Sequence, residues 1–162
     1  MTSQRILFKE YEDKIISAKE AAFLIKDKMT VGSSGFTKAG DSKAVLPAFA
    51  KRAENEKVAI TLITGASLGH TTDSDLAKNN ALLKRMPFQV DATLRGKINN
   101  GDVYFIDQHL SETSELLVNG HLSKLDLAVI EATYVDENGN IIPTTSVGNS
   151  ATFAQMADKI II

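Results

Sequence analysis

Short apolar runs alternate with helical patterns along almost the whole of this chain, and that alternation restricts the fold more than any other feature. Ser17-Ala18-Lys19-Glu20 reads as a capping box, and Ala21, Ala22, Leu24 and Ile25 give the following helix an apolar stripe. Met29 to Val31 reads as a short strand. Asp41 is placed to cap a helical stretch from Ser42 to about Glu54, kinked or restarted at Pro47. Val58 to Ile63 is a second strand, and Asp73 or Ser74 starts a helical stretch through Leu76 and Leu82 that Pro87 closes. Tyr104 to Ile106 reads as a strand, Glu112 to Asn119 as a helix, Leu125 to Ile130 as a buried strand and Ser150 to Ala157 as a last helix. Strands alternating with helices predict an α/β fold with a mainly parallel sheet flanked by helices. Asn138-Gly139 between Tyr134-Val135 and Ile141-Ile142 predicts a β-hairpin near 134–142. Glu137 then sits in a turn and is not a catalytic carboxylate.

The chain has 162 residues, enough for one domain with its own core. The sequence shows no internal repeat and no linker, so 1–162 reads as a single α/β domain. Lys159-Ile160-Ile161-Ile162 reads as the start of a buried strand, with a short edge strand as the alternative. A chain that stops inside a core strand reads as a fragment of a longer protein. The net charge of −2 implies neither nucleic acid nor an anionic membrane as partner. The absence of cysteine removes disulfides, thiolate catalysis and cysteine zinc sites. His70, His109 and His121 lack metal-ligand spacing. No apolar stretch is long enough to span a bilayer, and the mixed-charge N-terminus lacks a signal-peptide core, so a cytoplasmic setting is expected.

Ligands of parallel α/β sheets sit beyond the carboxyl ends of the strands. Three loops rich in small residues are candidates there: Gly32 to Gly40, Gly65 to Gly69, and Thr144 to Ser150. In a parallel sheet these meet on one edge. The first, Val31-Gly32-Ser33-Ser34-Gly35-Phe36-Thr37-Lys38-Ala39-Gly40, matches neither a P-loop nor a dinucleotide fingerprint. Its glycines and free N–H groups suit a carboxylate, carbonyl or phosphate. Gly65-x-Ser67-x-Gly69 matches the string of a hydrolase nucleophile elbow, with Asp107, His109 and His121 as formal partners. That elbow needs a helix directly after the serine, and Leu68-Gly69-His70-Thr71-Thr72 is poor helix material. Glu131 follows the strand Leu125–Ile130, where it is placed to act as a base, to contact a ligand or to accept N–H bonds from a neighbouring loop. Asp73 and Asp75 fit the first turn of a helix better than paired acid–base work.

Several of these stretches, taken in order, resemble the acetyl-CoA hydrolase/transferase proteins of the family I coenzyme A transferases. The similar blocks are Val31–Gly40 with Lys43-Ala-Val-Leu-Pro-Ala48; Leu62-Ile-Thr-Gly-Ala-Ser67; Pro87-Phe88 with Asp91–Arg95 and Ile98-Asn99; Glu131-Ala132; and Ile142–Ser150. The resemblance runs from about Ala18 to Ile162 and implies the N-terminal domain, of CoA-transferase/NagB-like three-layer type, of a longer two-domain enzyme. It implies transfer of CoA between an acetyl- or succinyl-type acyl-CoA and a short carboxylate, or hydrolysis of the acyl-CoA. A glutamyl-CoA thioester forms on a glutamate outside this chain, so no catalytic residue is implied here and the fragment alone is expected to be inactive. CoA is a substrate, and no metal or other cofactor is implied. The implied partners are the acyl-CoA, the carboxylate and the missing C-terminal domain, and the full-length enzyme is expected to be a homodimer. The implied substrate-side residues are Ser34, Gly35 and Phe36, where Ser34 stands in place of the first glycine of a Gly-Gly-Phe string. Gly65, Ala66 and Ser67 follow, with Ser67 facing the acyl or carboxylate group, and then Gly148 and Asn149. The alternatives are a non-catalytic α/β ligand-binding or interaction domain and a sugar-phosphate isomerase-like protein.

Overall fold

A computed structural model describes residues 5–33, 35–69 and 71–162. Its main sheet has six strands: β1 (Thr30–Ser33), β2 (Ile60–Thr64), β3 (Leu82–Met86), β4 (Tyr104–Phe105), β5 (Leu125–Val129) and β8 (Ala157–Ile161). Their order is β4-β3-β2-β1-β5-β8, and every neighbouring pair is parallel. The chain steps outward from β1 to β4 and then returns to place β5 on the other side of β1. The reversal opens a crevice beyond the carboxyl ends of β1 and β5, the usual ligand position in such sheets.

Two apolar clusters make the layers. One joins α1 (Ala18–Leu24), α2 (Val45–Ala53), α3 (Thr72–Lys78) and α4 (Ala92–Asn99) to one face of the sheet, with Ile25, Leu46, Phe49, Leu76 and Leu94 fully buried. The other places Leu117 of α5 (Glu112–Val118) and Phe153 of α6 (Ser150–Met156) against Ile63, Leu125 and Ala128. Gly32 in β1 allows this packing, because a Cβ there would lie 3.0 Å from the Phe153 ring and from Leu125. A separate antiparallel pair, β6 (Ala132–Val135) and β7 (Ile141–Pro143), forms the expected hairpin. The N-terminal segment adds to it, with Leu7 N–H donating to the Val135 carbonyl at 2.9 Å and Val135 N–H to that of Arg5 at 2.8 Å.

The capping box forms as the sequence predicts: Ser17 Oγ accepts from the Glu20 N–H, and the Glu20 carboxylate accepts from the Ser17 N–H. The Ser17 N–H, and after it the Ser17 hydroxyl, which also donates to the Glu20 carboxylate, hold that carboxyl below its usual value. Other expectations need correction. Helix α2 starts at Val45 with no side-chain cap, so Asp41 is not its N-cap. Pro47 falls in the first turn, where its missing N–H is not needed, and no restart follows. The stretch after Leu76 is not one helix up to Pro87. It ends at Lys78, and Leu82–Met86 is the parallel strand β3. Helix α4, absent from the sequence reading, is capped by Asp91, whose side chain accepts from the Leu94 N–H at 2.8 Å. Ile160 and Ile161 lie in an edge strand, not a buried one: β8 ends at Ile161, and Ile160 is 40% exposed.

Candidate functional site

The loop after β1 and the loop after β2 are fastened backbone to backbone. Thr37 N–H donates to the Ser67 carbonyl at 3.1 Å, and Thr37 bridges Leu68 in parallel register. Within the first loop Phe36 and Ala39 exchange two backbone hydrogen bonds, of 2.7 and 3.1 Å, which close a tight turn. Gly35 is buried beneath this turn, where a Cβ would lie 2.5 Å from the Asp41 nitrogen. A Cβ on Gly40, at φ +72°, would lie 2.3 Å from the Ser146 carbonyl oxygen. The three small-residue loops therefore do meet at one sheet edge, and they do so through main-chain contact that only glycine permits.

Asp41, left without a helix to cap, ties the same loops together. It is 1% exposed, and its Oδ2 accepts from the Gly69 N–H at 3.1 Å. Its Oδ1 lies 3.2 Å from Lys43 Nζ, which also donates to Glu131 Oε2 at 2.5 Å. Lys43 thus spans the crevice from the loop after β1 to the end of β5. The Glu131 carboxylate is the main influence holding the Lys43 ammonium above its ordinary pKa; Asp41 adds to it, and partial burial opposes it. Glu131 accepts from the Lys43 ammonium, a partner the sequence reading did not consider. An open cavity of about 480 Å3 lies beside it, lined by Arg5, Leu7, Glu131, Ala132, Tyr134 and Thr144. Among the described residues at this edge of the sheet, Ser33 Oγ and Thr144 Oγ1 are buried without a hydrogen-bond partner, and Asp41 Oδ1 has only the ion-pair contact with Lys43.

Ser34 and His70 lie outside the described residues. Phe36 is 59% exposed on the crest of its turn, whereas Gly65, Ala66 and Ser67 are buried. Ser67 is followed by extended backbone, and α3 begins only at Thr72, so the nucleophile-elbow context is absent. His109 and His121 are exposed, one before and one after α5. In the third loop, Ser146 is the residue brought against the glycine turn. Gly148 is exposed, and Asn149 turns toward α5, its Oδ1 accepting from Ser114 Oγ at 3.1 Å. Among the described residues no group of three or more histidine, cysteine or acidic side chains could hold a metal ion, and no helix is long and apolar enough to cross a membrane.

Arg85 is a residue that sequence reasoning missed. It is fully buried at the end of β3, where it forms a two-point ion pair with Asp73 and donates to Thr64 Oγ1. The only signal for it was Asp73 at the start of a helix, which reads equally well as dipole complementation.

The model of the acetyl-CoA hydrolase/transferase N-terminal domain matches residues 1–162. The chain belongs to that family. It is 38% identical over its full length to a succinyl-CoA:acetate CoA-transferase of Clostridium kluyveri, of which it covers 30%. It is 39% identical, over 98% of its length, to an acetyl-CoA hydrolase of Yarrowia lipolytica, of which it covers 33%. This domain thus spans about a third of the curated relatives it matches. An acyl-CoA transferase of Escherichia coli O157:H7, solved as a thioester complex with CoA, shares the fold with a TM-score of 0.70 at 13% identity, over 90% of this chain and 42% of that one.

Proposed function

We propose that residues 1–162 form the N-terminal domain of a longer, two-domain acyl-CoA transferase or hydrolase. It would move CoA between acetyl- or succinyl-type acyl-CoA and a short carboxylate. In the first step a glutamate outside this chain attacks the thioester carbonyl, forming an acyl-glutamyl anhydride as CoA thiolate leaves. The thiolate then attacks the glutamyl carbonyl, forming glutamyl-CoA and releasing the carboxylate. The acceptor carboxylate reverses these steps, or water attacks the glutamyl-CoA carbonyl, regenerating the glutamate and releasing CoA. Splitting one difficult transfer in this way is covalent catalysis.

The observation that carries the reading is the backbone fastening of Thr37 to Ser67 at the carboxyl edge of the sheet, in a chain that matches the family throughout. This domain would supply a substrate wall from Ser34, Gly35, Phe36, Gly65, Ala66 and Ser67. Gly148 and Asn149 belong to its outer margin. Fixed donors at such a wall act on charge that develops on the acyl oxygen, without having to reorganise during the reaction. The 162-residue chain alone would lack turnover. The whole enzyme would be a cytoplasmic homodimer that uses CoA as substrate.

The test uses the full-length protein. Acetyl-CoA:succinate exchange and acetyl-CoA hydrolysis are assayed across a panel of short acyl-CoAs, with Ser67→Ala beside the parent. Turnover by the parent is expected, with Ser67→Ala lowering it for carboxylate acceptors while leaving the melting curve in place. No turnover with any acyl-CoA would sink the enzyme reading in favour of a non-catalytic binding domain. Unchanged kinetics of Ser67→Ala would remove Ser67 from the site.

A further inference from the structure

Arg85 and Asp73 form an ion pair with almost no access to water: Arg85 is 0% and Asp73 3% exposed. The pair is two-pointed, with Nε to Oδ1 at 3.0 Å and Nη2 to Oδ2 at 3.1 Å. Such a pair adds little net stability over apolar residues of the same volume, because both ions lose their hydration. Its consequence lies in where the remaining guanidinium nitrogen points. Nη1 donates to Thr64 Oγ1 and to the Met86 carbonyl, each at 2.8 Å.

These contacts fix a direction. Arginine has no acceptor, so Thr64 Oγ1 must accept from it, and the single hydroxyl proton of Thr64 is left to give. The short contact from that hydroxyl goes to the Ala66 carbonyl. Thr64 itself is 0% exposed, so bulk water does not compete for these bonds. Holding the Ala66 carbonyl orients the whole planar peptide that joins Ala66 to Ser67. From the other side, the Thr37 N–H holds the Ser67 carbonyl. Ser67 is therefore gripped at both of its peptide units, one by the glycine turn and one by a chain of buried bonds that begins at Asp73.

We propose that Arg85, acting through Thr64, is a positioning residue that sets how Ser67 is presented to the carboxylate or acyl group. It does not touch substrate. The inference rests on the reading of Ser67 as a substrate contact. Thr64→Val keeps the shape and leaves the Arg85–Asp73 pair intact, but breaks the link to Ala66. Thr64→Ser keeps the link. Arg85→Lys keeps a cation beside Asp73 but loses the fork.

In the full-length enzyme, Thr64→Val is expected to lower kcat/KM for the carboxylate acceptor roughly tenfold, the scale of one buried hydrogen bond. Thr64→Ser should restore it, and Thr64→Val should cost little more once Ser67→Ala is present, because two residues acting as a unit are not additive. Arg85→Lys should show the same non-additivity with Ser67→Ala, and it stands in if Thr64→Val fails to fold. Wild-type kinetics in Thr64→Val, or penalties that multiply with that of Ser67→Ala, would overturn the inference while leaving the Ser67 site standing. A Ser67→Ala enzyme with unchanged kinetics would instead remove the site, and the inference with it.

Discussion

Gly69 has no room for a side chain: a Cβ would lie 2.6 Å from the Thr37 carbonyl oxygen and 2.7 Å from the Lys38 Cα. Both neighbours are backbone, so neither can swing aside. Gly69→Ala must therefore push the two loops apart and disturb the bond from its own N–H to Asp41. An expected loss of about 2 kcal/mol or more follows, in the range of strained or overpacked sites. Urea denaturation of parent and variant measures it. At this scale the sequence showed where small residues cluster but not which contacts they serve. Asp41 reads as a helix cap because Ser42 and a helical pattern follow it, whereas its carboxylate is used across the fold, 28 residues away in sequence. Arg85 is illegible for the same reason: its partners come from 12 and 21 residues upstream.

Among the elements, those with a strong local signal formed as read: the Ser17 capping box, the 134–142 hairpin and the strands entering the first two candidate loops. The elements missed lack such a signal. Helix α4 buries only Leu94 and contains Gly96, so it has no apolar stripe. Strand β3 contains Lys84 and Arg85, and its burial depends on Asp73 neutralising the second of these. The hairpin turn also yields a prediction. Asp136 accepts from the Asn138 N–H at 2.9 Å and from the Asn140 N–H and side-chain amide at 2.8 Å each. The Asn140 side chain first, then its backbone, holds the Asp136 carboxyl below its ordinary value of 3.8. Because the folded value is depressed, the stabilisation is complete above the ordinary value and is lost as pH falls through the folded one. The amides of Asn138 and Asn140 should therefore keep their chemical shifts down to about pH 4 and move together below it. In Asp136→Asn that acid transition should disappear, as an NMR titration would show.

Over the whole molecule, sheet order decides where the site lies. The loops that meet come from β1 and β2, and Lys43 reaches across the reversal to the end of β5. This order follows from which strands pair, a choice between distant segments that periodicity does not encode. The alternation of elements made the parallel sheet legible, but not the position of β5 beside β1. Lys43 is the visible link between the two sides, and it is 42% exposed. Lys43→Met should cost more than the ~1 kcal/mol of a surface pair, because the half-exposed Glu131 is screened by solvent but the buried Asp41 carboxylate loses its cation. The raised pKa of Lys43 sets the sign of its pH dependence: its contribution is whole below the ordinary lysine value near 10.5 and fades as pH rises through the folded value. Thermal melts of parent and Lys43→Met should therefore differ at neutral pH and converge in strong alkali.

The glycine turn is held by main-chain contacts from Phe36 to Ala39, Thr37 to Ser67 and Gly40 against Ser146, with the Asp41 carboxylate on the Gly69 N–H as a side-chain tie between the loops. Main-chain contacts are indifferent to which side chains hang from them. Phe36 and Lys38 are exposed on the crest of that turn, so they can be exchanged without moving the path beneath them. The fold thereby separates the path of the turn from the chemistry displayed on it. In the proposed enzyme, a scaffold of this kind would be open to retuning for acyl groups of different size or charge by single exchanges at the crest, with no new solution to the folding problem.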